Sequence, residues 1–134
     1  MTDLEKGYVA GLIDGEGTIS LMKIHSTDKF RAPCVEMTST TYAMLEKMKE
    51  LFGGNISQQK VYKETYKQSW HWQTRYDKAI NLLKEVKDFL LEPKKKARAD
   101  LIVSTYKLVT PRNGRYNEET LAKKMKFEED FFKL

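Results

Sequence analysis

The run Val9-Ala10-Gly11-Leu12-Ile13-Asp14-Gly15-Glu16-Gly17-Thr18-Ile19 begins as a helix and ends as a strand. Upstream of it, Thr2 and Glu5 have the spacing of a capping box, and Tyr8, Val9, Leu12 and Ile13 supply apolar surface. Gly7, Ala10, Gly11 and Asp14 fall at spacings of three and four, so they share a face that is almost free of side chains. A glycine inside a helix costs about 1 kcal/mol relative to alanine, so two of them on one face call for a reason. Close approach of a second backbone supplies one. Gly15 and Gly17 are expected to end the helix through positive φ, and Thr18-Ile19 opens a strand.

If the bare face packs against a copy of itself, two helices lie side by side and their C-terminal ends meet. Each end then presents Glu16 near the twofold axis. A carboxylate there faces the negative end of the helix dipole, and two close together are worse placed still. A divalent cation reverses that balance, and Mg²⁺ is the hard ion that carboxylates, backbone carbonyls and phosphates share.

Working outward, residues 18–38 read as two strands: Ile19 and Leu21 alternate with Ser20 and Met22, and Val35 and Met37 with Cys34, Glu36 and Thr38. The polar stretch 25–33 joins them. Thr40 is expected to cap a second helix carrying Met44, Leu45, Met48, Leu51 and Phe52, stopped by Gly53-Gly54. A second strand pair is predicted over 55–61 and 69–75, with Trp70, Trp72 and Thr74 on one face and His71, Gln73 and Arg75 on the other. Asp77 begins a third helix with Ile80, Leu83, Val86, Phe89 and Leu90 inward and Pro93 at its end. Residues 94–109 form a fourth helix. Beyond the loop 110–116, Asn117 caps a last helix bearing Leu121, Met125, Phe131 and Phe132, with Lys123, Lys124 and Lys126 facing solvent.

The order α-ββ-α-ββ-α plus C-terminal helices defines an α+β domain whose antiparallel sheet is covered by helices on one face and free on the other. One domain spans 1–134, with a core over 1–109 and a loop and final helix over 110–134. No apolar run approaches the roughly 20 residues that span a bilayer, and the N-terminus lacks a signal-peptide layout, so a soluble intracellular chain is expected, its compartment open. The single cysteine, Cys34, excludes an internal disulfide framework and a Cys-rich zinc site, and is expected half-buried in its strand. The net charge is +5, and its placement matters. Residues 1–93 balance at 13 basic and 13 acidic side chains, whereas 94–134 hold 11 basic and 6 acidic, so the whole excess sits in the last third. A basic balance points to a polyanionic partner.

The run at 9–19 closely resembles the LAGLIDADG motif of the homing endonucleases, with most of its core positions the same or conservatively replaced. The likeness continues through Thr38-Ser39-Thr40, Leu51-Phe52-Gly53-Gly54-Asn55-Ile56 and Lys95-Lys96-Ala97-Arg98-Ala99-Asp100-Leu101. It implies that fold, with a saddle-shaped sheet, and Mg²⁺-dependent cleavage of both strands of double-stranded DNA leaving short 3′ overhangs. Mn²⁺ can substitute for Mg²⁺ on the same reading. It further implies that Glu16 and the Gly15 carbonyl bind the metal, that Asp14 hydrogen-bonds the tight turn, and that Lys95 stands near the scissile phosphate, with Lys94 and Lys96 as alternatives. Some members carry glutamine where Ser39 stands; Ser39 can hold an active-site water, with shorter reach. One motif copy implies a homodimer joined through Gly7, Ala10, Gly11 and Asp14 and a palindromic or pseudo-palindromic target.

On the saddle, the face opposite the core reads DNA in the major groove. The candidates are Ser20, Met22, His25, Lys29, Arg31, Glu36 and Thr38 from the first pair, and Ser57, Gln59, Lys60, Lys63, Lys67, His71, Gln73 and Arg75 from the second. Arg75 suits guanine, Gln73 adenine and Glu36 cytosine, and the lysines suit phosphates. Two other readings stand beside this one. The first is an inactive member of the same fold that binds DNA as a regulator or intron RNA as a maturase. The second is an interaction module whose glycine face docks a partner protein.

Overall fold

The computed structural model describes residues 1–134. Helix α1 covers Asp3–Glu16 and is started by the expected capping box: the Thr2 hydroxyl accepts from the Glu5 N–H at 3.1 Å, and the Glu5 carboxylate accepts from the Thr2 N–H at 3.2 Å. The helix does not stop through positive φ. Gly15 stays helical, and Gly17 is extended at φ −93° as the first residue of β1, Gly17–Met22. Glycine is needed there for space, because a Cβ at 17 would lie 2.8 Å from the Ile13 Cα. The helix therefore passes into the strand without a linker.

Strand β2, Ala32–Ser39, returns beside β1 with Ile19 opposite Val35. Helix α2 covers Tyr42–Phe52. Its N-cap is Thr41 rather than Thr40, and the Thr41 N–H donates to the Ser39 Oγ at 2.9 Å. Gly53 and Gly54 then take φ of 70° and 88°, and a Cβ on Gly54 would sit 2.3 Å from the Gln73 carbonyl oxygen. Strands β3, Asn55–Gln58, and β4, Trp70–Arg75, are shorter than the 55–61 and 69–75 read from the sequence, which leaves Gln59 outside the ladder. All pairings are antiparallel, in the order β1-β2-β4-β3.

The alternation sorts the two faces. Ile19, Leu21, Val35, Met37, Trp72 and Thr74 are buried beneath the helices, and the Trp72 indole N–H donates to the Gly53 carbonyl at 2.9 Å. Trp70 is half-buried and meets Tyr42 edge-on. Helix α3, Tyr76–Val86, starts one residue earlier than Asp77 and buries Ile80, Leu83 and Val86 against the sheet. A 3-10 turn at Lys87–Phe89 follows, in which Phe89 is exposed and not inward. Pro93 does not end α3; it is the first residue of α4, Pro93–Thr105, where its missing N–H costs nothing. After a second 3-10 turn at Tyr106–Val109, helix α5 covers Glu118–Phe132, capped by Asn117 as expected.

Helix α5 buries Phe131 as read from the sequence, but the rest of its inward face differs. Met125 and Phe132 are exposed, while Lys124, Phe127, Glu128 and Phe131 are buried. Lys124, expected in solvent, is 1% exposed. Its Nζ lies 4.1 Å from the centre of the Tyr106 ring and donates to the Thr110 Oγ1 at 2.6 Å, with Phe30 and Phe127 also within cation–π range. Burial pushes this amine down to about 8 from its ordinary value. The folded chain thus binds that proton less tightly than the unfolded chain, and stability rises as the pH climbs from about 8 toward 10.5. Lys124→Met is expected to stabilise the protein at pH 7, by up to about 3 kcal/mol, because the charge penalty disappears while the stem is still packed. Urea unfolding at pH 7 and pH 9 checks this: the gap between variant and wild type should narrow at the higher pH, and an unchanged gap would refute it.

Candidate functional site

Three features meet around the junction of α1 and β1. The first is the end of α1. Glu16 is its exposed last residue. The Lys95 Nζ donates to the carbonyls of Ile13 and Asp14, each at 2.8 Å, and so caps the negative end of the helix with a cation. The start of α4 is built to deliver that lysine. The Asp14 carboxylate accepts from the backbone N–H groups of Leu91 and Glu92 at 2.9 and 3.1 Å, and the Glu92 carboxylate caps α4 through Lys95 N–H at 2.7 Å. Lys94 and Lys96 are exposed, so of the three neighbouring lysines only Lys95 reaches the end of α1. Asp14 does not bond the tight turn after its own helix, nor does it lie free on the glycine face. Its two oxygens are committed to the 91–92 backbone.

Ser39 closes β2 two residues beyond Met37, the partner of Gly17, and therefore lies at the same end of the sheet as Glu16. Its hydroxyl oxygen accepts from Thr41, which leaves its proton free to donate. No group of three His, Cys, Asp or Glu side chains gathers anywhere in the chain. The oxygen donors at this end are the Glu16 carboxylate and the neighbouring backbone carbonyl of Gly15, a hard set that suits Mg²⁺ and leaves most of its coordination to other groups.

The second feature is the outer face of α1. A Cβ on Gly7, Gly11 or Gly15 would meet nothing within 4 Å. Leu4 at 85% exposure, Tyr8 at 51% and Leu91 at 85% flank this bare strip with apolar surface. Ala10 does not belong to it. At about 100° per residue it is turned a quarter of a circle from Gly11 toward Ile13, and it is fully buried.

The third feature is the open face of the sheet. The register lines up Thr18, Glu36, Gln73 and Asn55 in one row, Ser20, Cys34 and Arg75 in a second, and Thr38, His71 and Ser57 in a third. The central polar side chains bond to one another. His71 contacts the Thr38 hydroxyl through Nδ1 at 2.9 Å and the Glu36 carboxylate through Nε2 at 3.2 Å. The Gln73 Nε2 lies 2.9 Å from the Met22 Sδ, 3.0 Å from the Cys34 Sγ and 3.4 Å from Glu36. The Gln73 Oε1 accepts from the Arg75 Nε and Nη2 at 3.2 and 2.9 Å. Under this cover Cys34 is fully buried rather than half-buried, and burial raises its thiol pKa. Thr18 and Asn55 are also exposed on this face, two residues before Ser20 and Ser57 and so on the same side of their strands.

The loops at the rim carry His25, Lys29, Lys60, Lys63 and Lys67, all exposed, with Lys60 over Tyr62 and Lys63 over Tyr66. Arg31 is the exception. Its Nη1 pairs with the Glu128 Oε1 at 3.0 Å, its backbone N–H donates to the Glu128 Oε2 at 2.9 Å, and its guanidinium lies over Phe132, so it ties the β1–β2 loop to α5. That bond spans 97 residues of sequence, and no local pattern signals it.

No family model and no curated protein matches the chain. Solved structures do match. The homing endonuclease I-CvuI, in complex with its target in the presence of calcium, aligns with a TM-score of 0.71 at 16% identity, over 96% of this chain and 80% of that one. A second structure of I-CvuI, with the I-CreI target in the presence of magnesium and its DNA uncleaved, gives 0.72 at 15% identity over 97% and 81%. The archaeal intron-encoded I-Vdi141I, complexed with DNA, gives 0.60 at 21% identity over 98% and 84%. The LAGLIDADG homing endonuclease I-GzeII, also bound to DNA, gives 0.61 at 18% identity over 94% of this chain and only 42% of its own. The chain therefore has the LAGLIDADG homing endonuclease fold, with a four-stranded antiparallel sheet and five helices. No helix is long and apolar enough to cross a membrane.

Proposed function

We propose that the chain is a site-specific endonuclease that acts as a homodimer on a long palindromic or pseudo-palindromic stretch of double-stranded DNA. The observation that carries this reading is the placement of Glu16: an exposed carboxylate at the end of a helix whose outer face is bare, with Lys95 held at the same end. Two chains joined along Gly7, Gly11 and Gly15 bring their Glu16 carboxylates toward one axis and lay their open sheet faces side by side.

Glu16 and the Gly15 carbonyl would hold Mg²⁺, with Mn²⁺ able to replace it; when bound, such an ion stabilises charge on the phosphate and leaving oxygen and lowers the pKa of a water. The Lys95 ammonium uses two of its three N–H groups on α1 carbonyls and keeps one to place positive charge beside the scissile phosphate. The Ser39 hydroxyl proton orients a water at the same end. Hydrolysis of one bond per strand leaves short 3′ overhangs.

Base reading falls to the open face. Arg75 and Gln73 satisfy each other in the free protein and must exchange that pairing for guanine and adenine edges, and Glu36 must release His71 to accept from cytosine. Ser20, Thr38, Ser57 and the added Thr18 and Asn55 line the same surface, while Lys29, Lys60, Lys63 and Lys67 meet phosphates.

The test is selection of bound sequences from a random duplex library, followed by Mg²⁺ addition and product sequencing. Double-strand cuts at the centre of the selected site, lost on chelation while binding persists, are the expected outcome. Chelator-resistant binding without any cut would instead support a regulator of the same fold, and affinity for structured RNA alone a maturase. Duplex affinity that fails to fall with added salt would refute the reading.

A further inference from the structure

Tyr76 joins β4 directly to α3, with no linker, and its backbone has a φ of 55°. A bulky aromatic residue rarely takes that left-handed conformation. Burial does not offset the strain, because the residue is 47% exposed. It stands at the end of the sheet remote from Glu16, since β1 runs away from that residue and β4 ends opposite Cys34.

Three surface hollows meet at this one side chain. One of about 360 Å³ opens onto the reading face past Arg75, Gln73 and Asn55, with Lys78 on its wall. A larger one of about 780 Å³ continues to Lys107 and Arg112 in the 110–116 loop. The third runs toward Lys29 and Tyr116. The carboxylates here are already committed: Asp77 pairs with Lys107 at 3.1 Å, and Asp28 accepts from the His25 N–H at 2.9 Å. Lys78 and Arg112 have no carboxylate partner, and both are exposed. Arg112 also belongs to the last third of the chain, where the charge excess lies and where the cutting end draws on Lys95.

We propose that this junction is a phosphate-binding shoulder, in which the Tyr76 hydroxyl, Lys78 and Arg112 grip backbone phosphates of the duplex just outside the stretch read by the sheet. It rests on the function proposed above and adds a contact that the sheet does not provide. Phosphate contacts of this kind set register and affinity without reading sequence.

The probe is a duplex chosen by library selection, prepared once trimmed to the stretch the sheet covers and once with both flanks. Wild type should bind the flanked form about tenfold more tightly at moderate salt. The Lys78→Ala/Arg112→Ala double variant should lose that gain, keep wild-type affinity for the trimmed form, and show a salt slope lower by about two per chain on the flanked form. Tyr76→Asn, which suits a left-handed backbone, should keep or raise the melting temperature while cutting the flank gain severalfold; a merely structural tyrosine would lower the melting temperature instead. Variants that bind both forms like wild type, or lose both equally, overturn the shoulder alone. Absence of salt-sensitive duplex affinity in wild type overturns the proposed function and the shoulder together.

Discussion

Replacing Glu16 with glutamine is expected to lower double-strand cleavage by at least about a thousandfold while leaving duplex affinity within a fewfold of wild type. Glutamine has nearly the same shape but one carbonyl oxygen and no charge, so it loses the electrostatic part of metal binding and little else. The residue is the exposed last residue of α1, and no hydrogen bond or ion pair within the chain depends on its carboxylate. Removing the charge should therefore leave the melting temperature unchanged. Cleavage then falls while stability does not, which no general folding defect can imitate. Cleavage rate, duplex affinity and thermal unfolding measured on one preparation make the comparison. A variant that cuts at the wild-type rate would remove Glu16 from the reaction and with it the proposed site.

Most of the frame is written in local pattern. The Thr2–Glu5 box, the Gly53-Gly54 stop and the period-two alternation of β1 and β4 each act within a few residues, and each structural element follows them. Lys95, Ser39 and Glu16 are brought to one end of the sheet, although their roles rest on chemistry that no folded chain displays by itself. What local pattern hides is long-range. Positions 124, 127, 128 and 131 form a good helical stripe, yet two of the four are charged, and a reading that assigns Lys and Glu to solvent selects 125 and 132 instead. Glu128 is tolerated inside because Arg31 reaches it from the β1–β2 loop, and Lys124 because aromatic rings surround it. Ala10 shows a smaller error of the same kind. Spacings of three and four do link it to Gly7 and Asp14, but the face that meets solvent is centred nearer Leu4, Gly11 and Gly15.

Leucine in place of Gly11 is expected to separate the fold of α1 from the pairing proposed for it. Within one chain the substitution is harmless, because a Cβ at 11 meets nothing within 4 Å and the side chain extends into open space. Exchanging glycine for leucine in a helix interior is favourable by roughly 0.8 kcal/mol, so the monomer should melt a few degrees higher. Between two chains the effect reverses. Backbones that approach across a bare strip would be held apart by an isobutyl group at the centre of the contact, and the pair of Glu16 carboxylates would no longer share one stretch of duplex. Sedimentation should show the variant as a monomer at concentrations where wild type is a dimer, with coordinated cutting of both strands reduced at least about a hundredfold. A variant that remains dimeric and cuts normally would mean that the chains associate through another surface, and the flank of Leu4, Tyr8 and Leu91 beside the strip would have no part in pairing.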